Sequence, residues 1–200
     1  MEIDLNKLRD RAYKCACEHG FHDEEKSDEH WLMLVITEIA EAVQAERKSK
    51  HADVVDFKKH ELDSDAFYPH FFNEYVKESV EDELADIVIR ILDFAGARNI
   101  DLSKLSGKLN ERYYMLCLDS SEDEYFPEMM YDITKCICME ENIKDKIDCS
   151  ICCVFSVSYY YRIDLFQHIE WKMRYNELRP YKNGKKYEKN NYGNRFKQVA

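Results

Sequence analysis

Apolar residues recur at helical spacing along most of the chain and predict long helices rather than strands. They stand three and four residues apart from Glu29 to about Lys48, and this segment follows a cap sequence, Ser27-Asp28. A second such segment runs from about Glu78 to Arg98 and ends near Gly96 and Asn99, both residues typical of helix C-termini. With only five Gly and three Pro, the 200-residue chain has few helix breakers. We therefore predict an all-α fold in a single domain.

A charged and aromatic linker separates these two segments, and Pro69 interrupts it. We place it between Ser49 and Lys77 and expect short helical pieces within it. Its aromatic side chains either cover a pocket or, as the simpler alternative, anchor the linker onto the core; they are Phe67, Tyr68, Phe71 and Phe72. A further helix is expected from Ile3 to Glu18.

The second half of the chain repeats the organisation of the first. Asp82 to Leu102 aligns without a gap with Asp145 to Leu165, and both segments open on Asp and close on Ile-Asp-Leu. A partner helix is predicted from Glu124 to Glu141. We interpret this as a tandem duplication, although two amphipathic helices can also match by chance. Residues 1–102 would then form one helix pair, 103–170 an inserted degenerate repeat, and 171–200 a basic C-terminal tail.

Two acidic pairs interrupt the apolar faces of the first helix pair: Glu38 with Glu41, and Glu83 with Asp86. Residues three apart share a helix face, so two packed helices would gather four carboxylates. Such a cluster repels itself without a cation, and oxygen ligands suit Mg²⁺ or Mn²⁺ better than Zn²⁺. The alternative is a solvated helix face, but large aliphatic residues surround both pairs. The sequence therefore predicts a hard-metal site, which the degenerate repeat has lost.

The formal net charge of −11 argues against a protein that binds nucleic acid or anionic membranes. Residues 172–197 are nevertheless strongly basic, and either contact a phosphate substrate or form an exposed tail that aids solubility. Met1 to Glu18 lacks the pattern of a secretion signal, and no apolar run approaches the length of a membrane span. We expect a soluble, cytoplasmic protein.

The eight cysteines do not form matched zinc-finger pairs. Cys149, Cys152 and Cys153 share a helix face, which favours reduced thiols in the core over a zinc or redox site. Disulfides are not expected in a chain without a secretion signal.

Taken together, these motifs resemble the all-α nucleoside triphosphate pyrophosphohydrolases, in particular the short MazG-like type of bacteria and phages. The resemblance covers roughly half the chain in four ordered blocks: His19 to Glu25, Leu32 to Lys50, Glu81 to Leu102 and Lys172 to Tyr187. The inserted repeat is similar to the layout of the dimeric dUTPases. A homodimer is expected, because helical bundles commonly pair by two-fold symmetry.

The resemblance implies Mg²⁺-dependent hydrolysis of a (deoxy)nucleoside triphosphate to the monophosphate and pyrophosphate. It assigns the metal and the chemistry to Glu38, Glu41, Glu83 and Asp86. It assigns phosphate and sugar contacts to Lys172, Asn176, Arg179 and Lys185.

The resemblance to the family is less close at the positions of the base contacts and in the rest of the site. The family usually carries Trp at the position of His22, so the resemblance implies an altered base contact at His22, with Phe21 or Trp31 as the stacking substitute. Arg90 and Asp93 lie on the face of Asp86 and either complete the site or form interhelical ion pairs. The alternatives to an enzyme are a non-catalytic helical protein that binds a nucleotide or a partner chain, and a purely structural protein.

Overall fold

The computed structural model describes residues 3–110 and 125–181, and every regular element in these ranges is helical. The all-α prediction is thereby confirmed. In chain order the helices are α1 Leu5–Glu18, α2 Asp28–Arg47, α3 Val54–Phe57, α4 Tyr68–Tyr75, α5 Val80–Ala97, α6 Ser103–Asn110, α7 Phe126–Met139, α8 Ile143–Tyr160 and α9 Leu165–Glu177. Within these ranges, none is long and apolar enough to cross a membrane.

Local capping chemistry starts both acidic helices and ends α5 near Asn99 rather than at Gly96, which lies inside the helix. The Ser27 hydroxyl accepts a hydrogen bond from the His30 backbone N–H at 3.3 Å and starts α2. The Ser79 hydroxyl does the same for Asp82 at 3.2 Å and starts α5. Beyond α5, Asn99 adopts a left-handed φ of 51°, a conformation that Asn tolerates well, and ends the helix where the sequence predicts.

The core is built from two packed helix pairs. α2 packs on α5 (the first pair), α7 packs on α8 (the second pair), and the two pairs also pack against each other. α5 lies at the centre, because α1 and α9 cover it as well. Most of its apolar residues are accordingly buried, among them Leu84, Ile87, Val88 and Leu92.

The bounds of α5 and α8 agree with the gapless register of the proposed repeat. Both helices have 18 residues, and their first residues, Val80 and Ile143, are 63 positions apart. At the same offset, Asn142 caps α8 as Ser79 caps α5, and Arg162 has a left-handed φ of 59° where Asn99 has 51°. The duplication itself stays a hypothesis, which these shared features support.

The aromatic linker packs against α9 through buried side chains. Tyr68 and Phe72 of α4 are fully buried, and the Tyr68 hydroxyl donates to the Trp171 carbonyl at 2.9 Å. The Phe72 ring stacks on Tyr175 with 4.4 Å between centroids. The simpler of the two expectations for these aromatics therefore fits the structure, although Phe67 is exposed.

The expectation of a basic tail from residue 171 onward is wrong for its first part. Residues 171–177 are the last turns of α9, and Trp171, Lys172, Met173 and Tyr175 are buried. An amphipathic segment with this much apolar surface packs on the core, and its basic residues are drawn in with it. Residues 182–200 lie outside the described part.

The expectation that disulfides are absent is also corrected. Cys136 of α7 is joined to Cys149 of α8, and the Cys153 Sγ lies 3.8 Å from the Cys136 Sγ. The packing of α7 on α8 brings these residues together, and spacing along a single helix gives no sign of it.

Candidate functional site

Three of the four predicted carboxylates meet between α2 and α5. One oxygen each from Glu38, Glu83 and Asp86 lies within 4.8 Å of the others. Glu41 is exposed and lies outside this group, so the structure brings together three of the four predicted ligands. The buried face of α2 runs through Glu38 and Ala42, and Glu41 falls at its edge.

A buried lysine from α9 reaches the same cluster. The Lys172 Nζ lies 2.8 Å from Asp82 Oδ1 and 2.6 Å from Asp86 Oδ2, and Lys172 is only 4% exposed. The resemblance assigns Lys172 to the phosphate and sugar contacts; in the structure it is a buried counter-ion of the acidic helix α5. Asp82 was not predicted at all, although its spacing of four from Asp86 puts both on one helix face.

Burial sets the protonation of this cluster. It raises the pKa of Glu83 to about 9, with further contributions from Asp86 and Asp82. Burial also raises the pKa of Asp82 to about 6, although Lys172 lowers it. For Lys172, burial disfavours the ammonium, but Asp86 and Asp82 outweigh it and raise its pKa. At neutral pH without a metal, Glu83 therefore keeps its proton and Lys172 its charge.

Arginine and histidine side chains continue the network toward the solvent. The Arg90 Nε donates to Glu38 Oε1 at 2.9 Å, which makes Arg90 an interhelical ion pair, one of the two roles expected for it. Burial raises the pKa of Glu38, as does Asp86, while Arg90 opposes both effects. Asp93, on the same face, lies 2.7 Å from the His22 Nε2.

His22 and Trp31, the expected base-stacking residues, stack on each other instead. Their ring centroids are 4.5 Å apart with 25° between the planes, and Trp31 is buried. Neither belongs to the lining of the cavity described next. His22 is connected to the cavity through Asp93, which it contacts and which does line the cavity.

A cavity of about 750 Å³ opens beside the carboxylate cluster. Its polar lining includes Asp86, Arg90, Asp93, Asn176 and Arg179, so two of the predicted substrate contacts, Asn176 and Arg179, face it. The Arg179 Nη1 donates to Asn176 Oδ1 at 3.1 Å. Apolar residues complete the wall, among them Phe21, Leu34, Ile89 and Met173. Lys185, the remaining predicted contact, lies outside the described residues.

The residues present fit a hard divalent cation. The triad of Glu38, Glu83 and Asp86 offers three carboxylate groups, the donor type that Mg²⁺ and Mn²⁺ prefer. The Glu83 Oε2 is buried and has no hydrogen-bond partner, which is costly without a cation. An ion bound there would replace the Glu83 proton.

Comparison with known proteins returned no match, whether to a family model, a curated protein or a solved structure.

Proposed function

We propose that this chain is a MazG-like, Mg²⁺-dependent nucleoside triphosphate pyrophosphohydrolase. The observation that carries the proposal is the carboxylate triad beside a cavity that also receives two arginines. Asp86 belongs to both the triad and the cavity wall, so an ion held by the triad would face a molecule in the cavity. The cavity volume falls within the range of about 300–1,000 Å³ that is typical of small-molecule sites.

In this proposal Glu38, Glu83 and Asp86 hold the ion, with Mn²⁺ as a possible substitute. Bound there, Mg²⁺ would neutralise phosphate oxygens and acidify the attacking water. A carboxylate oxygen of the cluster would accept the proton of that water. The deep position of Glu38 and Glu83 keeps bulk water away and strengthens each of these charge interactions.

The rest of the cavity suits a nucleotide. Arg90 and Arg179 supply cationic charge for the phosphate chain, and planar guanidinium groups bind phosphate in a bidentate manner. The apolar wall that includes Phe21 offers a surface for the sugar and base. Asn176 provides an amide for a directional hydrogen bond.

A non-catalytic protein of the same fold is the second candidate, and one observation favours it. Lys172 already provides a cation to Asp82 and Asp86 at 2.8 and 2.6 Å. A site that is neutralised internally can bind a nucleotide through Arg90 and Arg179 without recruiting a metal or performing hydrolysis.

Pyrophosphate release from the common NTPs and dNTPs, measured with Mg²⁺ and with Mn²⁺, tests the enzyme directly. Asp86→Asn keeps the side-chain volume but removes a ligand charge, so we expect release to fall by about 10²–10⁴-fold. Asp148→Asn on α8 is the matched control, because it makes the same substitution at an aspartate that pairs with Lys144 and does not belong to the triad. The rate of pyrophosphate release by this variant should equal that of the wild type.

This assay distinguishes the two candidate functions. Turnover of any triphosphate that Asp86→Asn abolishes supports the enzyme. No turnover with either metal, together with thermal stabilisation by a nucleotide that Arg179→Ala removes, would establish the non-catalytic protein instead.

A further inference from the structure

A second cluster of metal-ligating side chains lies between α7 and α8. The sulfur atoms of Cys136, Cys149 and Cys153 lie within 4.8 Å of one another. Cys136 and Cys149 are half-buried and Cys153 is buried at 5% exposure. Three thiols gathered from two helices make up a ligand set, and the nucleotide chemistry proposed above does not use it.

This thiol cluster overlaps, in the register of the proposed repeat, the region of the acidic site in the first pair. At the offset of 63 that relates α5 to α8, Cys149 corresponds to Asp86 and Cys153 to Arg90. On the partner helix, the register that aligns α7 with α2 places Cys136 at the position of Glu41. The second pair thus has sulfur where the first has oxygen and nitrogen.

We propose that the second pair, when reduced, binds one soft cation of the copper(I) type through the thiolates of Cys136, Cys149 and Cys153. Thiolates select soft ions, whereas the carboxylates of the first pair select hard ones. Structural Zn²⁺ sites almost always take four ligands, and this cluster has three among the described residues. An ion that is satisfied by three sulfurs fits better.

The surroundings accommodate the charge and the entry of such an ion. Three thiolates carry more negative charge than Cu(I) neutralises, and Lys146 lies on the same face of α8 as Cys149, three residues before it. The Lys146 Nζ donates to the Ile137 carbonyl at 2.6 Å, so its ammonium is held beside the residue that follows Cys136. The half-buried Cys136 and Cys149 leave the ion a path from the solvent.

The disulfide and the metal are alternative states of the same sulfurs. Cys136 and Cys149 are joined to each other in the structure, and their bond must be cleaved before an ion can bind. A phosphine does this cleanly: the disulfide, the phosphine and one water give two thiols and the phosphine oxide. Each thiol that then ligates Cu(I) releases its proton.

The test uses the full chain, reduced with a phosphine and kept anaerobic, and titrated with Cu(I) against a chromophoric Cu(I) chelator. Retained copper and the sulfur-to-copper charge-transfer absorption report binding. We expect one tightly held ion per chain in the wild type. Cys153→Ser should weaken binding by more than about 100-fold, which exceeds the usual effect of losing an outer-shell partner.

Cys152→Ser is the matched control, because Cys152 is the buried neighbour of Cys153 on the same helix but is not in the cluster. It should keep the ion and the absorption, as should Cys138→Ser, which removes an exposed thiol. Cys149→Ser, at a half-buried position, repeats the test should Cys153→Ser fail to fold. Equal losses in Cys152→Ser and Cys153→Ser, or no ion retained by the reduced wild type, would overturn the proposal.

Discussion

The two helix pairs contain central helices of equal length, α5 and α8, but differ in what they bury. In the first pair Glu38 is buried and bound to Arg90, whereas Ile133, at the corresponding position of the second pair, is fully buried and apolar. Glu83 is buried, whereas Lys146, at the corresponding position of the second pair, is half-buried. The first pair therefore encloses a polar network, and the second pair encloses aliphatic and sulfur-containing side chains.

The two pairs therefore meet the free-energy cost of burial in different ways. Burying a charge costs free energy unless it is paired, so the buried carboxylates of the first pair depend on cationic partners. Arg90 comes from within the pair, and Lys172 comes from α9. The second pair gains from apolar burial directly, together with a covalent link.

The largest effect is expected from removing the cation that α9 contributes to the first pair. Lys172→Met leaves Asp82 and Asp86 buried without their partner, and breaking a buried ion pair from one side costs about 3–5 kcal/mol. Chemical denaturation should show this loss in the free energy of unfolding. Adding Asp82→Asn to Lys172→Met should recover part of it, because it removes one unpaired charge.

A control in the second pair sharpens the contrast. Lys144 and Asp148 of α8 form an ion pair whose side chains are 42% and 22% exposed. Lys144→Met should cost less than about 1 kcal/mol, as exposed pairs do. Equal stability losses in Lys144→Met and Lys172→Met would mean that the polar core of the first pair does not need its lysine.

A somewhat smaller effect is expected from opening the covalent link of the second pair. The Cys136 and Cys149 positions are 13 residues apart, and closing a loop of about this length stabilises a protein by about 3 kcal/mol, chiefly through the unfolded chain. Reduction should lower the free energy of unfolding by that amount. The double variant Cys136→Ser/Cys149→Ser should show the loss without reductant and should not respond to it. A double variant that reduction destabilises further would place the effect at another cysteine.

Periodicity and capping in the sequence predict the helices of both pairs well. The Ser27 cap starts α2, and Asn99 ends the turn after α5, because these short-range signals act within one or two helical turns. The offset of 63 residues between the two halves also relates the first and last residues of α5 to those of α8, which no single motif predicts. Helical spacing likewise brings Glu83 and Asp86 to one face.

Long-range packing accounts for what the sequence does not predict. Lys172 reads as part of a basic run, and only the docking of α9 on α5 reveals it as a buried counter-ion. Glu41 fits the acidic pattern but lies just off the buried face of α2. The bond between Cys136 and Cys149 depends on how α7 meets α8, which spacing within each helix does not encode.

The smallest effect on stability is expected from a buried histidine in α9, the helix that follows the second pair as α6 follows the first. His168 stands 63 positions after Leu105 of α6, and both are buried. Burial lowers the pKa of His168 from 6.5 to about 4, and its Nδ1 has no hydrogen-bond partner. Between these two pKa values the unfolded chain binds a proton at His168 and the folded chain does not. The free energy of unfolding is therefore unaffected by His168 above about pH 6.5 and decreases as the pH falls toward 4.

At pH 5 this linkage amounts to about 2 kcal/mol. His168→Leu, which installs the residue found at the corresponding position of α6, should remove that part of the acid sensitivity and leave the remaining pH dependence unchanged. Urea denaturation of both proteins at pH 5 and pH 7.5 measures the difference. His70→Leu, at an exposed position on α4, is the control and should keep the wild-type slope. If His168→Leu loses stability between the two pH values as steeply as the wild type, the acid sensitivity does not arise from His168. Glu83 and Asp82 would not account for it, because their raised pKa values favour the folded chain at low pH.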